Sequence, residues 1–148
     1  MIDFDTLADL AYNRSTLKPS EREDLINLWT EFFKLDEWLF IVDASQSSLE
    51  PVPFVGFIED RPWFFVFTDS QRALEFAKKF SLTDKNNECL YLSLSPESAL
   101  KILASSQNAD GIRINEGPHG WFSPLQNVEQ IHSLLQSLDH TVGQRKSD

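Results

Sequence analysis

The chain has 148 residues, 41% of them apolar with twelve Phe and four Trp, and its thirteen basic against twenty-three acidic residues give a net charge of −10. A domain of this length buries about 70% of its unfolded surface, so the apolar content suffices for one core, which excludes the disordered class and argues for a single domain over residues 1–148. The acidic excess repels phosphate backbones and anionic membranes, so neither nucleic acid nor a membrane surface is an expected partner, whereas a basic protein would be attracted.

The first residues, "MIDFDTLADL", carry acids where a secretory leader would carry Lys or Arg, and no run approaches the roughly 18 apolar residues of a membrane span. A lone cysteine, Cys89, makes no internal disulfide. The cytoplasm is therefore the expected compartment. Ile2, Phe4, Leu7, Ala8, Leu10 and Ala11 fall at helical spacing and predict a short first helix. In "KPSEREDLINLWTEFFKL", Ser20 with Glu23 forms a capping-box pattern and acids crowd the first turn. Leu25, Leu28, Trp29, Phe32 and Phe33 then mark one face of a second helix. Residues 1–36 thus form a helical N-terminal extension, and "EWLFIV" after it reads as a strand.

"PVPFVGFIEDRPWFFVFTD" predicts two strands around a tight turn at Asp60–Arg61. Pro51 and Pro53 put the first of them at an edge or at its own beginning, because proline cannot donate to a ladder. The unbroken apolar run Trp63 to Phe67 is that of a strand covered on both faces. Three strand–cap–helix passages follow: Phe67 into the Thr68–Asp69 cap, "CLYLSL" into Ser95–Pro96, and "WFS" into Ser123–Pro124 with Gln126 closing a capping box. Between the last two, "GIRIN" alternates Ile112 and Ile114 inward with Arg113 outward, and "EGPHG" supplies a turn. The predicted order is α-α-β-β-β-α-β-α-β-β-α, an α+β domain with α/β-like layers, a mixed sheet of about five or six strands and helices packed on it. Residues 139–148 are read as a frayed polar tail.

Candidate chemistry is sparse. His119 has Ser123 and Glu116 nearby, but Ser123 already serves as a helix cap and no Gly-x-Ser-x-Gly elbow occurs, so a solvated turn explains His119 more simply. His119, His132, His140 and Cys89 lack zinc-ligand spacing, and five glycines form no phosphate-cradling motif; neither a metal nor a cofactor is expected. Glu59–Asp60 reads as a solvated turn, and His132 as a residue flanking the apolar stripe of the last helix. Trp63 and Trp121 each stand beside Phe at a strand start, so one member of each pair is expected to project outward and mark an interaction site.

"PVPFVGFIEDRPWFFVFTDSQRALEFAKK", followed by a strand–helix unit and "DGIRIN", resembles the N-terminal domain of the SseB-like proteins over residues 51–131. The matching features are the Pro-x-Pro strand, the junction Phe67–Thr68–Asp69 with Arg72–Ala73, and the late strand ending at Asn115. Asp69 stands where the family usually has Ser, and Glu116–Gly117 where Pro–Gly is usual. The resemblance implies a small cytoplasmic α/β module without an established catalytic centre. Related small acidic proteins serve as immunity partners of bacterial toxins.

The expected role is a non-enzymatic binding or regulatory module whose partner is another protein. The first alternative is an immunity or inhibitor protein that blocks a basic site on a toxin with its acidic surface. The second is a small enzyme working around Thr68, Asp69, Arg72, Asn115 and His119. If the strands of the three units run parallel, Thr68, Ser95 and Ser123 open three helix N-termini on one sheet edge. Thr68, Asp69, Arg72 and Asn115 would then share a partner- or ligand-binding surface.

Overall fold

The computed structural model describes residues 3–12, 21–44 and 52–147. Ile2, the Ser20 half of the capping box and Pro51 lie outside the described residues. Among those described, the elements follow the predicted order: α1 (Phe4–Ala11), α2 (Glu21–Phe33), β1 (Trp38–Val42), β2 (Val55–Ile58), β3 (Arg61–Phe67), α3 (Ser70–Lys79), β4 (Leu90–Leu94), α4 (Pro96–Ser105), β5 (Gly111–Ile114), β6 (Trp121–Pro124) and α5 (Leu125–Ser147). The strands form one mixed sheet in the order β4-β1-β3-β5-β6, with β2 paired to β3 alone. The fold is an α+β domain with helices on both faces of this sheet.

Strand alternation divides the core in two. Trp38, Phe40, Phe64, Val66, Ile112, Ile114 and Trp121 point to one face, where α1, α2, α4 and α5 supply Phe4, Leu28, Phe32, Leu103 and Val128. Leu39, Ile41, Trp63, Phe65 and Phe67 point to the other, where α3 alone lies, through Ala73, Phe76 and Ala77. The run Trp63–Phe67 is accordingly buried throughout, as its unbroken apolar sequence predicts. At the end of α2, Phe32 stacks on Trp38 at 4.0 Å, and the Trp38 indole donates to the Phe32 carbonyl at 2.9 Å.

Several local expectations need correction. The β2–β3 turn falls at Glu59–Asp60 and not at Asp60–Arg61, since those two residues take positive φ (52° and 65°) and Ile58 pairs with Arg61. Two positive-φ residues match the twist of the flanking strands. Leu25 projects into solvent, off the buried face of α2. Asp69 caps α3 and Ser95 caps α4, each side chain accepting the N–H three residues on. Ser123 caps nothing: it lies buried within β6 opposite Ile112, and its hydroxyl donates to the Pro124 carbonyl, so the capping box with Gln126 does not form.

Strand directions decide which element ends come together. β1 runs antiparallel to both β3 and β4, so β4 shares the direction of β3, and β5 is parallel to β3. The C-terminal ends of β3, β4 and β5 therefore lie on one edge of the sheet. β6 runs the other way, pairing Pro124 with Gly111, so the start of α5 sits at the opposite edge. The expectation of three helix N-termini on one edge holds for α3 and α4 only.

Candidate functional site at the C-terminal rim of the sheet

Because β3 and β5 are parallel neighbours, their C-terminal ends present Thr68 and Asn115 side by side. The Asn115 N–H extends the ladder by donating to the Val66 carbonyl at 2.8 Å. Its backbone then turns at φ 51°, a conformation Asn tolerates better than most residues, and the buried side chain folds back onto Thr68. Asn115 Oδ1 accepts from the Thr68 N–H at 3.0 Å and from Thr68 Oγ1 at 3.3 Å, while Nδ2 donates to Thr68 Oγ1 at 3.0 Å. A backbone N–H only donates, so this contact fixes which way the carboxamide points. Gly120 completes the turn, since a Cβ there would lie 2.7 Å from the Asn115 carbonyl oxygen.

Around this latch stand three ion pairs and one histidine–carboxylate contact. Asp69 accepts from the Arg72 N–H at 2.8 Å as cap, and its second oxygen takes Arg72 Nε at 2.9 Å. The far end of the same guanidinium reaches Asp5 of α1 at 3.0 Å. Arg72 thus spans the rim, tying the helix on one face to a helix on the other. His119 Nδ1 lies 2.9 Å from the carboxylate of Asp9, one turn further along α1. Arg113 pairs with Glu116 at 3.4 Å. It was expected to point outward, and it does leave the Ile112–Ile114 face, but its guanidinium lies over the Trp63 and Phe122 rings at 4.5 and 4.8 Å.

These residues border a groove of about 400 Å³ lined by Asp5, Arg72, Glu75, Lys79, Glu116 and His119 over a floor that includes Phe67 and Asn115. It has the size of a small-molecule site. Part of its polar lining, however, is already paired within the chain. Thr68, Asp69, Arg72, Asn115 and His119 each have a partner within the chain. The triad-like set is not assembled, since His119 faces Asp9, Glu116 faces Arg113 and Ser123 is buried in β6. Among the described residues no cluster of three or more His, Cys, Asp or Glu could hold a metal ion. Cys89 sits just before β4, partly buried against the α3-side core, and burial pushes its thiol up, away from the thiolate a nucleophile needs.

Next to this groove, sharing Phe76, Phe80 and Glu116 with it, lies an apolar cleft of about 200 Å³. Phe54, Ile58, Phe65 and Phe76 line it, and Phe80 flanks it while 51% exposed, whereas Phe57 alternates with Gly56 and Ile58 and turns its ring to the opposite face of β2. Gly56 belongs to its wall because a Cβ there would meet the Phe54 and Phe65 rings at 2.8 Å. Of the two Trp–Phe pairs, the second projects one member as expected, Phe122, while Trp121 is buried; in the first, Trp63 and Phe64 are both buried.

The four residues proposed from sequence as one surface, Thr68, Asp69, Arg72 and Asn115, do come together, and His119 joins them at the same groove. Sequence reasoning missed Asp5 and Asp9, although their spacing of four puts both on one face of α1. It missed the aromatic cleft as well, which only the approach of β2 to α3 creates. Comparison of the chain with family models, with curated proteins and with solved structures finds no match.

Proposed function

We propose that the chain is a non-enzymatic protein-interaction module of the SseB-like kind, docking another protein in the aromatic cleft between β2 and α3. The observation that carries this reading is the exposed Phe80 ring flanking a cleft walled by Phe54, Phe65 and Phe76. A ring left in water forgoes about 25 cal/mol for every Å² that a partner would cover, and aromatic side chains are enriched where interfaces are driest. At the neighbouring rim Thr68, Asp69, Arg72, Asn115 and His119 are each paired within the chain, which favours a structural over a catalytic use of these residues. The residues behind the SseB-like resemblance support it at the level of position. Pro53 leads into the β2–β3 hairpin, Thr68–Asp69 forms the β3–α3 junction, and Asp110–Asn115 spans β5. An immunity or inhibitor role is a special case of the same docking, favoured by the net charge of −10.

The test is quantitative capture from the source cell with tagged wild type and with the variant Phe80→Asp, each also melted in denaturant. The expected result is a partner depleted about tenfold or more by the variant, a loss of about 1.4 kcal/mol in binding, with the unfolding midpoint unchanged. Equal recovery by the folded variant removes the cleft as the docking site.

A further inference from the structure

A second surface, independent of the cleft, lies at the far edge of the sheet. β4 pairs with β1 along its whole length, Trp38 with Leu94 through Val42 with Leu90, and ends the strand order, so its outer edge has no strand partner among the described residues. Natural edge strands are usually protected by charge, proline or a bulge. The other free edges here follow that rule, since Pro53 leads into β2 and Pro124 lies in β6. β4 does not: its sequence, Leu-Tyr-Leu-Ser-Leu, has no charge and no proline, and Leu90 and Tyr91 are 49% and 40% exposed. Its outward N–H and C=O groups form a row that another extended chain can pair with.

The register says what that chain must carry. Leu90, Leu92 and Leu94 share the face of Phe40 and Trp38, whereas Tyr91 and Ser93 share the face of Ile41 and Leu39. On the second face the Ser93 hydroxyl donates to the Glu37 carboxylate, which places a negative charge beside the edge. Glu88 lies before the strand and Glu97 after it. A second copy is a poor occupant. Antiparallel self-pairing centred on Leu92 would bring Glu88 of each copy to the end where Glu97 of the other begins its helix, between two chains of net charge −10. We infer that the β4 edge takes up an extended segment of another protein in which apolar residues alternate with Lys or Arg. The apolar residues extend the leucine row, and the basic ones lie towards Tyr91 and Glu37.

The experiment uses the full chain and a fluorescein-labelled peptide of alternating Val and Lys, with end-capped termini, followed by fluorescence anisotropy. The peptide binds saturably, and binding weakens as salt shortens the Debye length from about 30 Å at 0.01 M to about 8 Å at 0.15 M. A peptide with Glu in place of Lys and a fully backbone-N-methylated Val/Lys peptide each bind about tenfold more weakly or less, a difference of about 1.4 kcal/mol. The double variant Leu90→Lys/Tyr91→Lys, altered only at exposed positions, shows the same loss, while Phe80→Asp binds as wild type does, which separates this edge from the cleft. No binding, equal binding of the N-methylated peptide, or unchanged binding by Leu90→Lys/Tyr91→Lys overturns the inference. So does sedimentation showing a wild-type dimer that this variant abolishes, because the edge would then belong to a second copy.

Discussion

The latch between Thr68 and Asn115 permits a prediction in which two substitutions separate two causes. In Asn115→Ala the Thr68 N–H loses its 3.0 Å acceptor in a half-buried setting, which costs about 1–3 kcal/mol. The same substitution leaves an alanine at φ 51°, where a Cβ adds about 1–2 kcal/mol. The sum is about 2–5 kcal/mol, and at about 2–4 °C per kcal/mol for a chain of this size the melting midpoint falls by about 10 °C. Asn115→Gly removes the same acceptor but relieves the backbone, so it is about 1 kcal/mol milder despite the greater freedom of glycine in the unfolded chain. Urea denaturation of the three proteins at one pH measures both differences. An alanine variant within about 0.5 kcal/mol of wild type, the range of an ordinary surface substitution, would refute the latch. Equal losses for alanine and glycine would refute the role of the left-handed backbone.

Phe65→Asp puts a carboxylate between the Phe54 and Phe76 rings on a doubly covered strand, costs several kcal/mol, and abolishes the cooperative near-ultraviolet melt. Ser95→Ala removes the side-chain acceptor of the Ser98 N–H and lowers stability by about 1 kcal/mol in a urea titration. Asp3 caps α1, and its hydrogen bonds from the Thr6 hydroxyl and N–H hold its carboxyl below the usual carboxylate range. The contribution of that cap is complete above the unfolded pKa of about 3.9 and is lost as pH falls through the lower folded value. The difference in urea midpoint between wild type and Asp3→Asn is therefore present at neutral pH and shrinks towards acid; a difference that grew on acidification would reverse the sign of the linkage.

The order of the eleven elements was legible because each rests on a local signal. Strand runs such as "EWLFIV", helical spacing in "NLWTEFF" and the Ser95–Pro96 start are set within one or two turns of chain. Ser123 was misread for the same reason. Ser-Pro before a helical pattern is a cap signature, but Gly111 pairs with Pro124, and this non-local ladder carries β6 through both residues and leaves α5 to start at Leu125. The choice between Trp121 and Phe122 was open for a related reason. Alternation shows that Trp121 and Phe122 face opposite ways, but which of them meets the core depends on Trp121 standing opposite Ile114, a register written in two strands at once.

The rim residues were found together on the strength of one topological premise, that β3 and β5 are parallel, which holds. Their chemistry was not legible, because the partners that occupy Arg72 and His119 come from α1, more than sixty residues earlier. Those partners change what the rim does. Asp5 and Asp9 lie along one side of a helix whose Phe4, Ala8 and Ala11 enter the core, so their contacts help orient α1 across the end of the sheet and occupy Arg72 and His119. Two other surfaces offer recognition of apolar or backbone character. β2 and α3 provide the first kind, by leaving Phe80 uncovered beside their cleft. β4 provides the second, because β1 spends both of its own edges on β3 and β4 and no described strand follows on the outer side. A strand run such as "LYLSL" reads the same from sequence whether it lies inside a sheet or ends it; its position beyond β1 is what turns it from core into edge.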